Sequence, residues 1–554
     1  MESEGRWESL NTNWQTKKEL TDLLSKLVEF ESITGSPGEA AFPEYIQYVL
    51  NQTDYFKEHP EYLSLHPISD GRRFLTAFVK GNSNKTLVLL SHFDTVDVRD
   101  YGELRHLAFR PHELTDLLQE KKEWLPDQAK QDLESGDWLF GRGTMDMKAG
   151  LAVQIGLLSK AMEETFDGNL LLLAVPDEEA NSEGMLGAVH VLSDLKKSYG
   201  LEYTACINCE PMFTKYPNDP DYYLYTGSIG KVLAGFLCYG KETHVGEPFS
   251  GLNANLMVSK LNEQLELNGE FCEIAEGEVT PPPTSLYQKD LKEEYSVQIP
   301  HISVSLFNVL TMQRPISSLH QLLLNSAKAA AKEAENHYIK RAESFSEKVP
   351  YIPEPFSINV LSFEELFKLA VEKAGEQEVE RRIANLETEA AGDTDGRQHS
   401  IRIAAELAGL CKEQAPMIVL FYGPPFYPAV SSNEDPLIRH IANHVSGLAM
   451  DKHGISLKRQ VYFQGLSDLS FLQLNDSKES LAKLTESMPV YNRGYSLPAK
   501  EIKELNMPVI NIGPMGRDAH QWTERLFLPY SFEQLPELLE SAVKEFFKYG
   551  VGTE

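Results

Sequence analysis

Four apolar runs along the chain end in chemically active side chains. Residues 86–90 (TLVLL) have the length and composition of a strand buried on both faces and run into Ser91, His92 and Asp94. Residues 170–175 (LLLLAV) run into Pro176, Asp177, Glu178 and Glu179, and residues 203–209 (YTACINC) into Glu210. Residues 508–512 (PVINI) run into a glycine turn and then His520. Open α/β folds place their sites beyond the carboxyl ends of their strands, so these endings predict where chemistry occurs.

Between these runs the apolar spacing turns helical. KKELTDLLSKLVEF predicts a helix over about 16–30, and ESITGSPGEAAFPEYIQYVL a turn and a second helix. Residues 74–79 predict a strand beside 86–90; AGLAVQIGLLSKAMEE, rich in small residues, predicts a helix packed closely on the sheet, and 187–198 another. This alternation indicates parallel β-α-β units. Residues 97–137 form a long polar connection with helical pieces, a length more often functional than idle. The predicted fold class is α/β, with a mixed, mostly parallel sheet flanked by helices.

At Gly227 the texture changes. A strand, a glycine-rich turn and a helix are followed by an alternating strand (297–310), a long Ala-rich helix (317–345), further helix over 362–411 broken by the polar AGDTDGRQHS, and a strand (417–422). From Asp435 the first pattern resumes, ending in an amphipathic helix over 532–548. The expected domains are 1–227, the first part of a catalytic domain; 228–425, an inserted α/β domain; and 426–554, the second part of the catalytic domain. A chain of 554 residues exceeds what one core usually supports. It shows no internal repeat at solenoid spacing.

Composition narrows the function classes. Lys plus Arg total 52 against 82 for Asp plus Glu, a formal charge of −30, which argues against nucleic acid and anionic membranes as partners. Five cysteines are too few and too odd in number for a disulfide framework. The acidic N-terminal stretch MESEGRWESLNTNW has no apolar signal core, and no run approaches a membrane span. A reducing cytoplasm is the expected location.

The strand ends together offer two histidines and several carboxylates, the nitrogen and oxygen ligand set of a catalytic zinc site. His92 suits a metal through a neutral ring nitrogen, and Asp94 can orient it. Asp146, at the centre of GRGTMDMKAG between the first two runs, can bridge two ions. Neighbouring side chains in extended backbone diverge, so of Glu178 and Glu179 one can bind metal while the other reaches the attacking water. A lone HxD is usually a satisfied loop pair and a lone EE solvated surface; five such features in order in one chain point to a metal site. Cys206 and Cys209 form a CxxC with no second pair, and His440 and His444 lack the glutamate of HExxH, so neither is expected to hold metal. No phosphate-cradling glycine loop is present.

The stretches ESITGSPGE, LSHFDTVD, GRGTMDMKAG, PDEEANSEGMLGA, NCEP, HVGEPFSGLNA and GPMGRDAHQWTE together resemble the co-catalytic zinc amidohydrolases and exopeptidases, the family of carboxypeptidase G2, aminoacylase and succinyl-diaminopimelate desuccinylase. Length and overall pattern look most like its arginine-utilization (RocB) branch. The resemblance implies one zinc held by His92, Asp146 and Glu210 and another by Asp146, Glu179 and His520, with cobalt or manganese as alternative metals. It implies Glu178 as general base, Asp94 as partner of His92, and His244 in HVGEP as the substrate-facing histidine. It also implies that the inserted domain is a lid and a possible homodimer surface. Asn253, Arg314 in MQRP and Arg397 in DGRQHS are candidates for substrate contact; no motif singles out the arginine that grips a substrate carboxylate. The 54 residues from His92 to Asp146 (146 − 92) and the size of the insert exceed the family's usual pattern.

The expected function is zinc-dependent hydrolysis of a peptide or N-acyl amide in a small, amino-acid-derived substrate carrying a free carboxylate, with arginine catabolism implied by the resemblance alone. The rival from another class is a non-catalytic relative serving as a binding or regulatory module; the complete ligand set and intact base argue against it. A metallophosphoesterase would use similar ligands, but the EE pair and the His244 region fit acyl chemistry better.

Overall fold

The buried apolar runs assemble into an eight-stranded sheet. The structure, a computed structural model, describes residues 13–216, 219–352, 354–389 and 395–549; the acidic stretch over 1–12 and the 391–394 part of the polar break fall outside them. The chain forms two compact units. One comprises Met1–Ile229, Val430–Leu474 and Pro498–Glu554, the other Gly230–Ala429 and Asn475–Leu497. Asn475–Leu497 thus packs with the second unit, although the apolar pattern alone grouped it with the first.

The first unit's sheet contains β1 (Leu63–Pro67), β2 (Arg73–Val79), β3 (Lys85–His92), β4 (Asn169–Val175), β5 (Glu202–Asn208), β6 (Tyr222–Tyr225), β7 (Leu457–Gln460) and β8 (Val509–Asn511). Their spatial order is β1-β2-β4-β3-β5-β8-β6-β7. The four central strands β4, β3, β5 and β8 run parallel, and β1, β2 and β4 pair antiparallel. β3 has a strand on either side and the helix Lys148–Glu163 packed against it, and Leu87, Val88, Leu89 and Leu90 are all buried. Each such side chain stabilises the fold by roughly 1.5–3 kcal/mol relative to exposure.

Register turns this packing into site geometry. His92 stands opposite Val175 on β4, Leu90 opposite Asn208 on β5, and Asn208 opposite Asn511 on β8. All four strands therefore end along one edge, and Asp94, Glu178, Glu210 and the His520 turn leave from neighbouring strand ends. Two glycines permit the close approach this needs. A Cβ on Gly150, in the helix Lys148–Glu163, would lie 2.3 Å from the Cys209 carbonyl oxygen; one on Gly513 would lie 1.9 Å from that of Glu210.

The long 97–137 connection is helical in pieces, as expected: a 3-10 segment Arg99–Leu107 kinked at Gly102, then helices Pro111–Glu120 and Asp127–Ser135. It leads into a short strand, Trp138–Phe140, which pairs antiparallel with Arg525–Phe527.

The second unit is built on a five-stranded sheet ordered Thr284–Asp290, Ile302–Thr311, Gly230–Tyr239, Met417–Tyr427 and Asn359–Ser362. Its longest helix is Ile316–Ser346, which the Ala-rich run anticipates. Among the described residues no helix is long and apolar enough to cross a membrane.

Candidate metal centre

His92 is fixed before any ligand is considered. It closes β3, is buried, and its Nδ1 lies 3.1 Å from the Asp94 backbone oxygen and 3.5 Å from Asp94 Oδ1. That leaves Nε2 facing three acids: Asp146 Oδ1 at 3.4 Å, Glu210 Oε1 at 3.5 Å and Glu178 Oε2 at 3.9 Å. A ring held through one nitrogen with the other aimed at carboxylates has the orientation of a ligating imidazole.

The buried Asp94 carboxylate also organises its neighbours. It accepts from Thr34 Oγ1 at 2.9 Å and from the backbone N–H groups of Glu178 and Glu179 at 3.1 and 3.2 Å. Asp177, immediately before the EE pair, has a left-handed φ of +71°. Its carboxylate accepts from Arg72 Nη1 at 3.0 Å and from the Glu183 N–H at 3.1 Å. Arg72 Nη1 is held from the other side by Glu39, the last residue of the ESITGSPGE stretch and part of the helix Pro37–Leu50, at 2.8 and 2.9 Å. Two of the sequence stretches thereby lock one another.

Asp146 sits in the GRGTMD turn, and its peptide to Met147 is cis. The turn is anchored by Glu524, a fully buried acid whose Oε1 accepts from the Met145 and Asp146 N–H groups at 3.2 and 3.3 Å. Its Oε2 accepts from the buried Arg142 at 2.7 Å, and Arg142 pairs outward with Asp100 at 2.9 Å. Asp146 itself lies between the two histidines, its Oδ2 3.2 Å from His520 Nε2. Glu179 Oε1 is 3.1 Å from the same nitrogen.

One ligand atom each from His92, Asp146 and Glu179 lie within 4.8 Å of one another. This group spans both ligand sets implied by the resemblance, with Asp146 common to them. Two imidazoles and three carboxylates at these separations form an N/O donor set that suits divalent cations.

The electrostatics carry the same mark. Burial pushes Glu178 well above the ordinary carboxylate range; His92 opposes this, while Glu210 and Asp468 add to it. Glu210 is raised by the same cause, against His92 and with Asp146, Glu179 and Asp468 adding. Burial disfavours a charged His92, but Glu210, Asp146 and Asp94 outweigh it and push the ring well above its usual value. Hydrogen bonds to Asp146 and Glu179 push His520 up to about 11. A set of mutually repelling acids that lean on two imidazoles is what a cation site looks like to its own side chains.

The remaining sequence candidates all belong to the second unit. His244 occupies an exposed turn, its Nδ1 accepting from the Gly246 N–H at 3.1 Å. Asn253 caps the helix Ala254–Leu265, accepting from the Asn255 N–H at 2.9 Å. Arg314 donates to the backbone oxygens of Phe271, Cys272 and Glu270 at 3.1, 3.2 and 3.5 Å, and Arg397 pairs with Asp395 at 2.8 Å. These polar groups are engaged locally within the unit. His440 and His444 pair with Glu545 and Ser541, and Cys206 and Cys209 are buried and form no disulfide.

Sequence reasoning missed Glu39, Arg72, Arg142, Asp468 and Glu524. Glu39, Arg142 and Glu524 lie inside the quoted stretches, but their part depends on burial, which a single acid or base in a polar turn does not announce. Asp468, in GLSDLSF, is buried beside the site: burial pushes its carboxyl up to about 7, with the Ser182 side chain and His92 opposing.

Comparison with known proteins shows the family. Residues 88–473 match the model of Peptidase family M20/M25/M40. The "Uncharacterized protein YqjN" of Bacillus subtilis (strain 168) is 55% identical over 97% of this chain and 98% of its own length. Protein RocB of the same organism is 32% identical over 94% and 93%. A solved M20 family metallo-carboxypeptidase, Sso-CP2 from Sulfolobus solfataricus, shares the fold with a TM-score of 0.52 at 12% identity, covering 96% of this chain and 99% of that one. With 386 of its 554 residues (473 − 88 + 1) inside the family match and a converging donor set of the kind such enzymes need, the chain belongs to peptidase family M20/M25/M40 and is a metal-dependent hydrolase.

Proposed function

We propose that the chain hydrolyses the amide bond, peptide or N-acyl, of a small amino-acid-derived substrate, with two divalent metal ions, zinc by expectation, held by His92, Asp146 and Glu210 and by Asp146, Glu179 and His520. The observation that carries the proposal is the convergence of these side chains around Asp146, with Glu178 alongside them but opposed to His92 at the longest of the distances, 3.9 Å.

Divalent ions bound there supply Lewis-acid polarisation of the scissile carbonyl and acidification of the attacking water. Glu178 takes a proton from that water and delivers it to the departing amine nitrogen. Asp94 keeps Glu178 in reach by holding its backbone N–H, and keeps Nε2 of His92 turned toward the acids. Thr34, Arg72 and Glu39 secure the turns that carry these groups. His244, the substrate-facing histidine by resemblance, is proposed to stabilise the oxyanion, and a cytoplasmic location and a homodimer through the second unit are also part of the proposal.

A substrate derived from arginine is the finer form of the proposal, supported by the likeness to the RocB branch. The deciding experiment is a screen of N-acylated and peptide-linked arginine, ornithine, citrulline and glutamate derivatives with zinc-loaded and chelator-treated protein. Turnover that chelation abolishes and zinc restores supports the proposal. No zinc uptake and no turnover on any amide would favour the binding-module alternative.

A further inference from the structure

His520 is delivered by a turn that is costly to hold. The turn joins two short strands, Gly516–Arg517 and Arg525–Phe527, and within three positions both Asp518 (φ +60°) and His520 (φ +64°) adopt the left-handed conformation, which is uncommon outside glycine although Asp and His enter it more often than most residues. Such conformations persist only where their surroundings over-determine them.

The surroundings here are two arginines and one acid from a distant part of the chain. Arg525 is buried; its Nη1 donates to Asp518 and to the Thr523 carbonyl oxygen at 3.0 Å, while Thr523 Oγ1 donates to the same Asp518 oxygen at 2.7 Å. On its other side Arg525 donates through Nε and Nη2 to Asp132 Oδ2 at 2.9 and 2.7 Å. Both oxygens of Asp132 also accept from Arg517 Nη1 at 2.8 Å. The Trp138 ring lies under both guanidinium groups, 5.2 and 5.4 Å from its centroid. Charge-assisted bonds in such fixed fork geometry are directional as well as strong.

Asp132 belongs to the helix Asp127–Ser135 of the long 97–137 connection. We propose that Asp132 is a positioning residue for His520. Through Arg525 and Asp518 it fixes the left-handed turn that aims the imidazole at Asp146 and Glu179, and this gives the enlarged connection its purpose. The inference rests on the reading of His520 as a metal ligand, and its test separates the two.

Full-length protein stripped with chelator is titrated with zinc ion by isothermal titration calorimetry, as wild type and as His520→Ala, Asp132→Asn and Asp518→Gly. Glycine at 518 accepts the left-handed backbone while removing the anchor, and this partly exposed position spares the core. The wild type is expected to show two binding events and His520→Ala to lose one. Asp132→Asn and Asp518→Gly should weaken that same event about tenfold or more and leave the other within about threefold, the range typical of groups that orient metal ligands. If His520→Ala loses an event and the other two variants bind as wild type, the positioning role is overturned and the ligand assignment stands. If His520→Ala binds both ions as wild type, the ligand assignment fails and the inference with it. If Asp132→Asn does not fold by circular dichroism, Asp518→Gly decides, and unchanged affinity there overturns the proposal. A purely structural ion pair would lower the unfolding temperature without singling out one zinc.

Discussion

The carboxylate of Asp94 accepts the backbone N–H groups of both Glu178 and Glu179, at 3.1 and 3.2 Å, while standing 3.5 Å from the ring nitrogen of His92. One acid thus sets the aim of a histidine and the placing of two further acids. Asp94→Asn presents an amide N–H to groups that are themselves donors. It is expected to lower kcat by about 10- to 100-fold with bound zinc retained, the range for groups that orient metal ligands. Steady-state kinetics with metal analysis on the same samples checks this, and kcat within about twofold of wild type would remove Asp94 from the scheme.

Glu178 has a different expected signature. Glu178→Gln keeps shape and hydrogen bonding but loses the proton acceptor, so turnover should fall by about 10²- to 10⁴-fold. Zinc content should not change, because the proposal gives Glu178 no place among the ligands. Activity within about tenfold of wild type would exclude it as the base.

Zinc loading should release protons. His520 is pushed up to about 11 by Asp146 and Glu179, so at pH 8 the stripped protein carries a protonated ring that must lose its proton to ligate. The binding enthalpy at pH 8 should therefore vary with the ionisation enthalpy of the buffer, and an enthalpy independent of buffer would contradict it. The sign for stability follows from the same shift. A histidine raised in the folded state contributes stability that is complete below about 6.5 and is lost as pH rises through about 11. In urea unfolding of stripped protein, the gap between wild type and His520→Ala should narrow steadily from pH 6 to pH 10.

Glu524 touches no proposed ligand side chain yet holds the Asp146 turn and the buried Arg142. Glu524→Gln leaves Arg142 with Asp100 alone, and breaking a buried pair from one side typically costs about 3–5 kcal/mol, read as a lower urea midpoint. Burial pushes the Glu524 carboxyl up to about 7, against Arg142. An acid raised in this way contributes stability that fades as pH rises from its unfolded value of about 4.5 through 7. The variant should lack that portion of the pH dependence; identical pH profiles for the two proteins would show that the carboxyl does not titrate as stated.

The strands and their chemical endings were legible because a strand buried on both faces leaves a continuous apolar run, and the residue that breaks it stands at the sheet edge. Residues 86–90, 170–175 and 203–209 each mark such a place, and the structure carries His92, Glu178 and Glu210 there. Partnerships across hundreds of positions left no such trace. Asp132 with Arg525, or Arg142 with Glu524, are single charges with no local signal until the fold closes around them. The left-handed backbone at His520 was equally hidden, since glycine normally signals it and none is there. The local partners of Asn253, Arg314 and Arg397, a helix start, backbone carbonyls and a neighbouring acid, were likewise not legible in the sequence.

The first unit draws its substance from three separated stretches of chain, and His520 arrives 428 positions after His92 (520 − 92). A ribosome must therefore complete the whole intervening unit before the last imidazole can meet the first. Until then the nascent polypeptide holds clustered acids with an unfinished cage. With His520 a ligand as proposed, hydrolytic competence is tied to nearly full synthesis, and a fragment released before residue 520 would lack one of the two proposed metal sites.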